Sequence, residues 1–168
     1  MNLEYYNQHR YKKIPLGFNE FATNNWCVPC AASYSISKKF DIEIYPPTLN
    51  ELLKMHNGYL KCSGEIKWGT LEEIFPALDI ISHIYNKITK IHYEPDIIGY
   101  YDIISVDGNR YEDEYQSHFV SVVNPVLDEE YNIINFKIFD PYYGDEINLL
   151  NRYNKGSLKD SIYTIICL

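Results

Sequence analysis

The sequence predicts an α+β fold, with a helical half over about residues 27–95 packed on an antiparallel sheet built from about residues 97–168. Three observations predict it. In the first half, apolar residues recur at helical spacing behind capping-type tetrads. In the second half, short β-branched runs with partial two-residue alternation are separated by turn signals. The 168 residues carry no internal repeat, low-complexity tract or Ser/Gly linker, so one domain over 1–168 is expected.

The first helix is expected over about Pro29–Lys39, with Pro29 in the first turn, where its missing N–H costs nothing. Thr48-Leu49-Asn50-Glu51 matches a capping box and starts a second helix carrying Leu49, Leu52, Leu53 and Met55. Thr70-Leu71-Glu72-Glu73 repeats the pattern, with Leu71, Ile74, Phe75 and Leu78 on one face; Pro76 should kink or split this helix. Strands are expected at Ile103–Val106, before the turn signal Asp107-Gly108-Asn109, and then at His118–Val123, Ile133–Phe139 and Ser161–Cys167.

Composition narrows the function classes. Hydrophobic residues make up 46% and charged residues 23%, as expected of a soluble globular chain. No apolar run reaches the roughly 18 residues of a membrane span. The start, Met1-Asn2-Leu3-Glu4-Tyr5-Tyr6, lacks the basic and apolar regions of a cleavable secretion signal, so a cytoplasmic location is expected, with export by another route left open. A net charge of −8 argues against nucleic acid as a partner and is read chiefly as solubility. The oligomeric state is not legible. Four cysteines, at 27, 30, 62 and 167, do not make a disulfide scaffold; Cys62 and Cys167 are read as free thiols, Cys167 in a core strand.

The chemistry lies in two distant segments. One is Trp26-Cys27-Val28-Pro29-Cys30-Ala31-Ala32 at the start of the first helix. The other runs from Ser117-His118-Phe119-Val120 to Phe139-Asp140-Pro141-Tyr142-Tyr143-Gly144. Folded as one antiparallel hairpin turning at Asp128-Glu129-Glu130, it makes His118 and Asp140 cross-strand neighbours at one sheet end. A carboxylate there fixes the imidazole tautomer and stabilises its charged form. A thiol at a helix N-terminus beside an imidazolium has its pKa lowered into the range of about 3.5–7.5. Such a thiolate–imidazolium pair is the working unit of a cysteine hydrolase, and N–H groups at the helix start can stabilise an oxyanion. No cofactor or metal is needed.

At these residues the sequence resembles the papain-like cysteine peptidases, and most closely the bacteriocin double-glycine leader peptidases and their stand-alone relatives. That family shows Cys-Gly-Pro opening the first helix, then His-Phe-Val-Val-Val, then a strand ending Asp-Pro-x-x-Gly. Here these are Cys27-Val28-Pro29, His118-Phe119-Val120-Ser121-Val122 and Asp140-Pro141-Tyr142-Tyr143-Gly144. The resemblance implies a bacterial source, a peptide or protein substrate and a Cys27–His118–Asp140 triad. Val28 departs from the usual Gly, and the family's Gln several residues before the nucleophile is missing; Gln8 is far away in the sequence. Asn19 and Asn24 are the candidate oxyanion amides. Asn24 precedes Cys30 by six positions, the papain-like spacing, so Cys30 is the alternative nucleophile to Cys27.

Other readings stay open. An acyltransferase or transglutaminase-like enzyme would use the same triad, and a catalytically inactive peptide-binding domain would keep only the fold. Trp26-Cys27-Val28-Pro29-Cys30 also fits a dithiol redox motif, and Cys27, Cys30 and Cys62 with a His could ligate zinc. His9, His56, His83 and His92 are read as surface or structural, and Ser63-Gly64 and Trp68-Gly69 as turn residues.

Overall fold

The computed structural model describes residues 1–17, 26–59, 66, 70–86, 94–107 and 117–168. Asn19, Asn24, Cys62, His92, Ser63-Gly64 and Trp68-Gly69 lie outside the described residues.

Helix α1 spans Cys27–Phe40 and begins two residues earlier than the sequence predicts. Cys27 is thus its first residue, and Pro29 still lies within the first turn, where N–H groups have no intrahelical partner. The helix ends at Asp41, whose φ of 54° is left-handed. Residues Cys27 to Ser37 are all buried, so α1 is a central element. Helix α2 spans Pro46–Met55. The expected capping box is corrected: Tyr45 is the N-cap, and Thr48 lies inside the first turn. Two prolines preset φ there and remove two amide donors, so the start needs no side-chain cap. Helix α3, Thr70–Ile74, passes into a 3-10 turn at Phe75–Leu78, the split expected at Pro76.

Among the described residues six strands form one sheet: β1 (His83–Asn86), β2 (Ile103–Asp107), β3 (Ser117–Leu127), β4 (Ile133–Asp140), β5 (Asp145–Asn148) and β6 (Thr164–Cys167). Their order is β1-β6-β2-β3-β4-β5, and every pairing is antiparallel. Two strands were not expected. β1 falls inside the supposed helical half and pairs with β6 at the sheet edge. β5 follows directly on the turn after Asp140. Each has only four residues, too few for alternation to show, and each is held by its partner rather than by propensity. A short helix, α4 (Leu149–Tyr153), was also not expected.

Both faces of the sheet are covered. Ile103, Phe119 and Ile166 pack with α1, α2 and α3 residues such as Ala31, Leu53 and Ile74. Ile104, Val120, Val122, Phe136, Ile138 and Ile165 form a second core with Leu149 and Tyr153 of α4. A third, smaller cluster seats the N-terminal segment. Tyr6, from a 3-10 turn at Leu3–Tyr6, meets Tyr34 and Phe139, and those two rings stack at 4.3 Å. Among the described residues no helix is long and apolar enough to cross a membrane.

Candidate active site

Three local features bring Cys27, His118 and Asp140 together. The first is the helix start. Trp26, the N-cap, makes no side-chain cap, so the first amides of α1 and the positive end of its dipole stand at Cys27. The Tyr11 ring stacks on Trp26 at 5.0 Å, and the indole N–H donates to Ile14 O at 3.3 Å.

The second is the tie between α1 and β3. Ser121 Oγ donates to Ala31 O at 2.7 Å. Cys27 lies four residues back from Ala31, about 6 Å along the helix axis. His118 lies three residues back from Ser121, about 10 Å along the strand. Because Cys27 also acts on His118, helix and strand run in the same direction from the same end of the sheet.

The third is the β3–β4 register, and here the sequence reading needs correction. Ser121 pairs with Phe139, which sets Asp140 opposite Val120 and not opposite His118. The strands are offset from the expected register by two residues near the site, and irregularities after Val122 and Val126 shift the pairing again. Asp128 closes the hairpin as a cap, accepting from the amides of Glu130 and Asn132, with Tyr131 left-handed. His118 and Asp140 remain on one face as diagonal neighbours, roughly 7–8 Å apart at the backbone, a span that long side chains bridge. The far nitrogen of the ring makes the contact: His118 Nε2 lies 2.8 Å from Asp140 Oδ1.

The Cys27 thiol is the other group close enough to act on the His118 imidazole, as a side-chain and charge partner. With Nε2 committed to Asp140, Nδ1 is the nitrogen left for the thiol. Burial pulls the His118 pKa down, but the hydrogen bonds with Asp140 and Cys27 outweigh it and raise it above 6.5. Cys27 is 7% exposed. Cys30 is fully buried in the helix-side core, and desolvation pushes its thiol well above the ordinary value. A buried neutral Cys30 is a core residue in its surroundings, whereas Cys27 faces the imidazole.

Asp140 is buried completely and takes four hydrogen bonds. Oδ1 accepts from His118 and from Tyr142 N at 3.0 Å. Oδ2 accepts from Arg152 Nη1 at 2.9 Å and from Tyr153 Oη at 2.5 Å. Burial alone would raise this carboxyl; the bonds from His118, Tyr153 and Arg152 hold it far below the ordinary value. Asp140 also opens the turn into β5, where Gly144 N donates to Asp140 O at 2.8 Å.

Arg152 and Tyr153 were not found by sequence reasoning. Their helix is too short to show periodicity, and Asn151-Arg152-Tyr153 matches no motif. Gln8, set aside as distant, is buried, and its backbone N–H donates to Pro141 O at 2.8 Å. It belongs to a 3-10 turn, Gln8–Tyr11, that runs from the Asp140 turn to Trp26. On the same turn His9 is exposed and meets the Tyr142 ring edge-on at 4.5 Å. His56 and His83 are exposed, as expected of surface residues.

The fold is similar to that of the peptidase domain of Streptococcus ComA, a bi-functional ABC transporter involved in a quorum sensing pathway. The TM-score is 0.51 at 12% sequence identity, over 85% of this chain and 90% of that one. Neither a protein-family model nor a curated protein matches the sequence. The α+β fold of a peptidase domain is therefore common to both chains. An antiparallel sheet is not the βαβ frame that a thioredoxin-like Cys-x-x-Cys occupies, so the dithiol redox reading loses its fold.

Proposed function

We propose that this chain is a thiol hydrolase that cleaves a peptide bond in a peptide or protein substrate. Cys27 is the nucleophile, His118 the general base and then the general acid, and Asp140 the group that holds His118. One observation carries the reading: a single buried imidazole is bonded to a buried carboxylate and has the Cys27 thiol as its other titrating neighbour. Transfer of the Cys27 proton to Nδ1 leaves a thiolate beside an imidazolium, at the positive end of α1. The thiolate adds to the scissile carbonyl, and amides at the helix start, with Asn19 or Asn24 as a side-chain donor, stabilise the oxyanion. The imidazolium protonates the departing amine, leaving a thioester that a water, deprotonated by His118, hydrolyses. No metal or cofactor enters these steps. The peptidase fold of the structural neighbour supports the class of reaction; residues 1–168 are taken as one unit.

The test is iodoacetamide labelling of the wild type and His118→Ala across pH 4–9, mapped by peptide mass spectrometry. Rapid labelling of Cys27 at acidic pH, lost in the variant, supports the ion pair. An ordinary thiol profile in both proteins sinks the proposal, and rapid labelling of Cys30 instead overturns the choice of nucleophile.

A further inference from the structure

We propose that Arg152 and Tyr153 are positioning residues of this site, holding Asp140 so that one oxygen faces His118 while the Arg152 charge limits how tightly the carboxylate grips the imidazolium. The inference rests on the Cys27–His118–Asp140 reading and deepens it.

The geometry divides the carboxylate. Both donors from α4, Arg152 Nη1 and Tyr153 Oη, meet Oδ2, and His118 meets Oδ1. Torsion about the carboxyl bond is soft in a free aspartate. Here two donors on one oxygen and two on the other allow a single orientation. Arg152 does not need Asp140 to be satisfied: its Nη1 and Nη2 already reach Asp145 Oδ1 and Oδ2 at 2.8 and 2.9 Å. Its guanidinium also lies over the Tyr143 ring at 3.9 Å, which fixes the plane of the fork. The bond to Asp140 is an addition to a group already held.

The charges alternate along this line: thiolate, imidazolium, Asp140, Arg152, Asp145. Cys27 comes from α1 and Asp140 from the end of β4, and the rings of Tyr142 and Tyr153 stand 6.5 and 5.9 Å away. His9 lies behind Tyr142, and Arg152 and Asp145 lie behind Asp140. Removing Arg152 leaves two carboxylates without a cation between them, and their undivided charge acts on His118. The imidazolium then holds its proton too strongly to pass it to the leaving amine. Partial neutralisation by Arg152 keeps that proton available.

The test reads His118 itself, by its 13Cε1 NMR titration in Cys27→Ala, where no thiol intervenes. Arg152→Gln is expected to raise the midpoint by about one pH unit, the scale of one charge a few ångströms beyond Asp140 at an effective dielectric near 20. Arg152→Lys should restore most of the shift. Asp145→Asn gives the opposite sign, because Arg152 then acts on Asp140 alone; Asp145 is half-exposed, so this variant keeps the proposal testable if Arg152→Gln does not fold. In the Cys27 enzyme, Tyr153→Phe should lower kcat with KM unchanged. An unmoved His118 midpoint in folded Arg152→Gln, or in Asp145→Asn, overturns the proposal. An ordinary alkylation profile for Cys27 in the wild type would sink the peptidase reading, while the His118 titration still decides Arg152 on its own.

Discussion

Asp140→Asn removes one charge and keeps the side chain's shape. All four partners of Asp140 donate: His118, Tyr142 N, Arg152 and Tyr153. A carboxylate only accepts, whereas an asparagine brings one accepting oxygen and one donating amide group. With its amide turned toward α4, the asparagine sets donor against the Arg152 guanidinium, and the Tyr153 hydroxyl must turn to accept. With the amide turned toward His118, Nε2 must accept, and the ring proton moves to Nδ1, the nitrogen that faces Cys27. Neither orientation leaves His118 able to take the thiol's proton as before. Breaking a buried charge pair costs about 3–5 kcal/mol, and the low end applies because Arg152 keeps Asp145. At roughly 2–4 °C per kcal/mol for a chain of this size, Tm should fall by about 6–12 °C. A wrong tautomer lowers kcat by a factor on the order of 10^4. The assay pairs a thermal melt with Cys27 alkylation at about pH 5, where only an activated thiolate reacts quickly. An unchanged Tm together with undiminished alkylation would refute the reasoning.

Cys30→Ser should cost about 1–2 kcal/mol by setting a hydroxyl in an apolar core, yet leave the alkylation profile of Cys27 unaltered; loss of that profile would make Cys30 part of the chemistry. Gly144→Ala meets two obstacles: φ is +72°, and the new Cβ would lie 2.5 Å from Asn7 Nδ2. Asn7 caps the Gln8–Tyr11 turn, so a loss of about 2 kcal/mol is expected, with earlier proteolysis of the N-terminal segment; wild-type resistance would contradict the contact. Stability should also follow pH through the pair. The depressed Asp140 contributes above its unfolded value of 3.8, and this is lost as pH falls through the lower folded value. The raised His118 contributes fully below 6.5, and this is lost as pH rises through the higher folded value. Urea titrations should therefore show the pair's contribution complete between about pH 4 and 6.5 and declining on both sides, with Asp140→Asn flattening the curve.

Much of this molecule was legible in order. The first helix, expected from Pro29 and found from Cys27, the split at Pro76, and strands at 103, 118 and 133 follow from short-range patterns, because proline geometry and alternation act within a few residues. So did the choice of His118 and Asp140 as a pair, since a hairpin with a polar turn returns its ends to one place. What escaped was set by distance in the chain. Strands β1 and β5 and helix α4 are too short to carry a period, and exist because a partner holds them. The two-residue offset between β3 and β4 is already present at Leu127–Ile133, because the Asp128-capped turn is centred one residue later than its polar residues suggest, and the two irregularities beyond it cancel. Gln8 beside Pro141 and Arg152 on Asp140 come from segments that make contact only once the sheet has closed. Local sequence determined which residue types stand at the ends of which elements. Only tertiary packing decided their register, their burial and the donors around a single buried carboxylate, because those depend on hydrogen bonds and excluded water between groups far apart along the chain.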